Sequence, residues 1–62
     1  MNKEEAEIIV RILATADWGC SNCVSDLFRQ FNSFFKGFEY ILDAKWLKDF
    51  SDVEYDWRKR PN

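Results

Sequence analysis

Apolar and polar positions repeat with a helical period over most of this chain. In the first segment Ala6, Ile9, Leu13 and Ala16 fall on one stripe at about 100° per residue. Ile8 and Ile12 flank that stripe on one side and Val10 on the other, while Glu4, Glu7 and Arg11 take the opposite face. So wide an apolar arc predicts a helix over about 3–17 that contacts two neighbours. Asn2 followed three residues later by Glu5 is a capping-box pattern. Glu4, Glu5 and Glu7 suit the positive end of the helix dipole, and Glu7 and Arg11 are spaced for an i,i+4 ion pair. Gly19 suits the turn that follows.

The second segment repeats more regularly. Val24, Leu27, Phe28, Phe31, Phe34 and Phe35 form a stripe roughly 120° wide, with Ser25, Arg29, Asn32, Ser33 and Lys36 outside it. The pattern predicts a helix over about 21–36, with Ser21 as N-cap, Gly37 as the C′ residue and Phe38 folded back on the last turn. A third helix over about 38–50 carries two apolar stripes. Phe38, Ile41, Leu42 and Trp46 form one, and Tyr40, Ala44 and Leu47 form the other on the opposite side. One stripe faces the core; the other is a partner surface or is wedged against a further helix of the same chain. Ser51 and Glu54 repeat the capping-box spacing and predict a short fourth helix over about 52–59, with Val53 and Trp57 on one side and Tyr55 and Asp56 elsewhere. The alternative there is an irregular tail pinned by Trp57. The reading is all-α: one domain, a small compact bundle of three helices plus a short C-terminal fourth.

Size sharpens that picture. A domain of 62 residues buries only about 60% of the surface its unfolded chain exposes. Small folds need reinforcement, and here it comes from rings: three tryptophans, two tyrosines and six phenylalanines. A monomer has little interior for all of them, so some are expected on a contact surface. Tyrosine and tryptophan are the usual anchors of interfaces. Tyr40, Trp46, Leu47, Tyr55 and Trp57 are therefore the candidate interaction residues. The function expected is a small non-enzymatic protein-binding module of adaptor, inhibitor or regulator type. Its partner is another protein, and a homodimer is the simplest form. The small, cofactor-free make-up also suits a phage or mobile-element product, though no residue marks that origin.

Charge adds a smaller constraint. Eleven acids face nine bases, and three of the bases, Arg58, Lys59 and Arg60, are consecutive near the end. That basic tail reads as a solvated chain end. Arg29 and Lys36 on one helix and Lys45 and Lys48 on another could converge on nucleic acid, but acids are interleaved and the net charge has the wrong sign, so nucleic-acid binding is the third reading. The first apolar run is preceded by glutamates and interrupted by Arg11, unlike a secretory signal, and no run reaches membrane-spanning length. A cytoplasmic protein is expected.

The stretch DWGCSNCV, residues 17–24, is the one place that looks like chemistry. Cys20 and Cys23 at a helix N-terminus have the spacing of a dithiol redox pair. The same spacing is half of a structural zinc site, and with no histidine in the chain a symmetric dimer supplying Cys20 and Cys23 twice would complete four ligands. The favoured reading needs no cofactor: both sulfurs line the joint between the first two helices as small apolar groups. A reducing compartment makes a structural disulfide unexpected. Enzymatic activity is not expected, because the commonest general base is missing, the serines have no histidine partner and no glycine-rich phosphate loop is present.

Overall fold

The computed structural model describes residues 1–59. Helix α1 (Lys3–Thr15) starts where the capping box places it. The Glu5 N–H donates to Asn2 Oδ1 at 2.9 Å, and the Asn2 N–H donates to Glu5 Oε1 at 3.0 Å. Two of the helix's orphan N–H groups are thereby satisfied. Helix α2 (Ser21–Phe34) begins one residue earlier than expected, capped by Cys20 rather than Ser21. Helix α3 (Glu39–Asp49) follows a turn through Gly37, whose φ of 100° suits glycine. Among the described residues there is no strand.

Helix α1 is the centre of the packing and lies against both α2 and α3. Its buried positions are Ala6, Val10 and Ala14, small residues that let the other backbones approach. Ile9 and Leu13 pack at the margin of the core, but Ile8 and Ile12 are exposed. The apolar arc is wider than the two contacts it makes. Helices α2 and α3 meet through large rings instead: Phe28 stands edge-on to Trp46 at 6.0 Å and to Trp57 at 6.2 Å. Phe38 folds back onto Phe31 at 6.4 Å, as the C-terminal pattern of α2 predicts. The stripe on α2 is narrower than its period implies, since Phe34 is 78% exposed and Phe35 also faces solvent.

The link between α1 and α2 is left-handed. Asp17 (φ 50°), Trp18 (φ 62°) and Gly19 (φ 73°) follow one another in that region. Only the glycine is at ease there; a side chain costs about 1–2 kcal/mol. Trp18 is fully exposed, so its ring offers no packing in return. Trp18→Gly is therefore expected to stabilise the fold by about 0.5–1 kcal/mol, after the greater unfolded-state freedom of glycine is subtracted. A thermal melt should shift up by a few degrees; a downward shift would show that the ring makes a native contact.

The expected fourth helix is not present among the described residues. Residues 51–59 are turns and bends, and the C-terminal segment takes the irregular course pinned by Trp57. The reason lies in the spacing Val53, Tyr55, Trp57. A helix would keep Val53 and Trp57 on one side and turn Tyr55 away from them, whereas all three pack against the core, Trp57 completely. Asp56 holds the final turn by accepting from the N–H groups of Arg58 (2.9 Å) and Lys59 (3.2 Å). Arg58 is not a loose chain end: its guanidinium pairs with Asp43 at 2.9 Å and lies 4.6 Å from the centre of the Trp57 ring. Arg60, the last residue of the basic run, lies outside the described residues.

Candidate functional site

The outer stripe of α3 is free of the core. Tyr40 is 55% exposed and Leu47 69%, with exposed Ala44 between them, while Ile41, Leu42 and Trp46 bury the opposite side. Helix α3 is thus not wedged between two others. Its outer stripe is a ridge with a depression on each side.

On one side a groove of about 400 Å³ runs between α1 and α3. Val10, Ile41 and Ala44 contribute its apolar lining and Tyr40 one wall. Lys3 and Arg11 from α1 and Lys45 and Lys48 from α3 surround it, with Glu7 the one acid. Glu7 pairs with Lys3 at 3.9 Å rather than with Arg11, and Lys45 pairs with Asp49 at 3.2 Å. The exposed Arg11 and Lys48 have no ion pair among the described residues. A chain with a net charge of −2 thus gathers four cations around one apolar groove.

On the other side of the ridge, α3 and the C-terminal segment border an open depression of about 420 Å³ whose apolar lining is Trp46, Leu47, Phe50, Val53 and Tyr55. The structure brings three of the five candidate residues together here. Two of the five are not surface anchors. Trp46 is buried, with its Nε1–H donating to the Tyr55 carbonyl at 3.1 Å. Trp57 is buried beneath Arg58, with its Nε1–H donating to Asp43 Oδ1 at 2.8 Å. Each ring removes roughly 150–250 Å² from water; in so small a domain that area forms the core. Tyr55 is half-buried and reaches α2, where its hydroxyl donates to Asn22 Oδ1 at 2.6 Å. Tyr40 and Leu47 remain as the accessible members of the set.

Among the described residues, seven of the basic side chains fall into two patches. Arg29, Lys36 and Arg58 border a shallow depression of their own, where Arg29 is paired with Asp26 and Arg58 with Asp43. The α1–α3 groove is the less neutralised of the two. Sequence pattern alone does not find it, because Lys3 and Arg11 meet Lys45 and Lys48 only through the fold. The one local sign is Arg11, a cation interrupting an otherwise apolar run.

The cysteines are not packed as the favoured reading expects. Cys20 is exposed and Cys23 half-buried, both as free thiols. Cys20 is the N-cap of α2 and lies outside its helical geometry. Among the described residues no group of three or more Cys, His, Asp or Glu side chains is placed to hold a metal ion. A zinc shell on Cys20 and Cys23 would therefore require ligands from a second chain. No helix among the described residues is long and apolar enough to cross a membrane.

These features define a small, mostly helical protein, with three α-helices among the described residues and a cation-rimmed apolar groove beside an exposed apolar ridge. No family model matches the chain, and no curated protein and no solved structure matches it.

Proposed function

We propose that this chain is a small non-enzymatic protein-binding module, of adaptor, inhibitor or regulator type, and that it receives an acidic amphipathic helix of its partner in the α1–α3 groove. The observation that carries the reading is the pairing of an apolar lining (Val10, Ile41, Ala44) with a cationic rim (Lys3, Arg11, Lys45, Lys48). An amphipathic helix laid in a groove buries its apolar stripe and leaves its flanking side chains at the rim. Carboxylates at those flanks would meet the cations here. Tyr40 and Leu47 extend the apolar contact along the ridge.

Self-association is the second reading, and one feature favours it. The outer face of α1 carries Glu4, Glu5, Ile8 and Ile12, all exposed, which is the acidic and apolar pattern that the groove would accept from another molecule.

The test uses a labelled synthetic helix with leucines at i, i+3, i+4 and i+7 and glutamates beside them, titrated by fluorescence anisotropy. The wild type is expected to bind it and to ignore a matched helix with lysines in place of glutamates. Reversing the rim with Arg11→Glu and Lys48→Glu should weaken binding about tenfold or more, since each exposed charge contact is worth up to about 1 kcal/mol. Tyr40→Ser with Leu47→Ser should weaken it as well, with helicity unchanged. Equal binding of both helices, or indifference to the reversed charges, would sink the proposal. Sedimentation of the wild type alone separates the self-association reading: a dimer lost on Ile12→Glu would make the second copy the occupant.

A further inference from the structure

The start of α2 holds two thiols in unequal settings. Cys20 is exposed and caps the helix with φ −59° and ψ 123°, outside helical geometry. Cys23 lies within the first turn and is half-buried. Side chains three residues apart on a helix stand about 5–6 Å apart at Cβ, slightly more than a disulfide spans. Cys20 is a cap and not a helical residue, so its side chain is not held to that helical spacing, while its carbonyl accepts the Val24 N–H at 2.8 Å at the start of α2. The two residues between the thiols are held from outside. The Tyr55 hydroxyl donates to Asn22 Oδ1 at 2.6 Å and lies 3.4 Å from Ser21 Oγ. The turn is thus anchored by the C-terminal segment while the Cys20 sulfur stays open to solvent.

Electrostatics divide the pair in the same sense. The Cys23 backbone N–H and thiol, and more weakly the Asn22 N–H, favour the Cys20 thiolate and bring its pKa below the ordinary thiol value, against desolvation and the charge of Asp17. The Cys20 sulfur, then desolvation and the charge of Asp17, push Cys23 the other way. One sulfur is prepared to attack and the other keeps its proton. Neither group is needed for binding in the α1–α3 groove.

We propose that Cys20 and Cys23 are a thiol–disulfide exchange pair, Cys20 attacking and Cys23 resolving, that acts on small accessible disulfides. The Cys20 thiolate attacks one sulfur of R–S–S–R, the S–S bond breaks, and RS⁻ leaves and takes a proton from water. Cys23 then gives its proton to solvent and attacks the Cys20 sulfur, releasing the second RS⁻. The dithiol loses two electrons and becomes an internal disulfide, and the small disulfide gains them and becomes two thiols. Excess thiol runs the same steps backwards.

The test is incubation of the reduced protein with oxidised glutathione near neutral pH, followed by intact mass and peptide mapping. The wild type is expected to pass through a glutathione adduct to a monomer lighter by two hydrogens. Cys23→Ser should stop at a stable adduct on Cys20, and Cys20→Ser should take up glutathione at least about fivefold more slowly than Cys23→Ser does. Circular dichroism checks that both variants fold, and the wild-type arm stands without them. Adducts persisting on both cysteines, a disulfide formed between two chains, or a Cys20 rate equal to that of the urea-unfolded chain would each overturn the proposal.

Discussion

Trp57→Ala is expected to unfold most of this protein at room temperature. The ring is 1% exposed, and it is the largest side chain so completely enclosed. Burying it contributes on the order of 4–6 kcal/mol by the usual area conversion, and tryptophan-to-alanine changes in cores cost about 3–5 kcal/mol. A chain of 62 residues has only about 3–9 kcal/mol in total. The loss also spreads. Trp57 is the contact that draws residues 51–59 onto the bundle, and that segment supplies the carbonyl of Tyr55 to Trp46 and the hydroxyl of Tyr55 to Asn22. Without the indole, Asp43 keeps Arg58 but loses the Nε1–H at 2.8 Å. Trp57→Phe separates these effects: it keeps most of the area and loses the hydrogen bond, at about 1–2 kcal/mol. Urea titrations followed by far-ultraviolet circular dichroism measure both. A Trp57→Ala variant with a midpoint near the wild type would mean that the C-terminal segment is not part of the folding unit.

The place of Trp57 also shows where sequence reasoning stops. The helices are legible because each rests on local rules: a 3.6-residue period, and at α1 a capping box that needs only Asn2 and Glu5. The C-terminal segment misleads because Ser51 and Glu54 imitate the same cap, while Val53, Tyr55 and Trp57 alternate with a period of two. Tertiary burial decides for the alternation. The left-handed run Asp17–Gly19 is legible at its glycine and weakly at Asp17, since aspartate visits that region more than most residues, but tryptophan does not advertise a positive φ.

The candidate site divides in the same way. Tyr40 and Leu47 are legible because the period of α3 sets them opposite Leu42 and Trp46. Residue type makes Trp46 and Trp57 candidate anchors, but it does not say whether a ring anchors a partner or fills a small core. The cationic rim of the groove joins residues more than thirty positions apart, Arg11 with Lys45 and Lys48, so no local pattern contains it. The thiols are legible as a pair, but their exposure depends on which residue caps α2: the pattern points to Ser21, and the structure has Cys20 there.

Phe28→Ala and Phe34→Ala make the companion experiment, because the helical period puts both rings on one stripe of α2 and the fold separates them. Phe28 is 0% exposed and stands between the rings of Trp46 and Trp57, whereas Phe34 is 78% exposed. Removing the Phe28 ring leaves a cavity where α2, α3 and the C-terminal segment converge. Such changes cost about 3–5 kcal/mol, comparable with the whole stability of a domain this size. Edge-to-face contacts add about 0.5–1.5 kcal/mol per ring pair beyond the area term, and both pairs go together. The expected product keeps some helix but loses its cooperative melt, and the emission of Trp46 and Trp57 moves toward that of the already exposed Trp18. Phe34→Ala should stay within about 0.5 kcal/mol of the wild type, as exposed substitutions do. Equal losses at the two positions would mean that Phe34 is covered in solution by another chain or that Phe28 is not enclosed. Either result would be visible as a concentration-dependent or concentration-independent melting temperature, respectively, because only a covering second chain makes stability follow mass action.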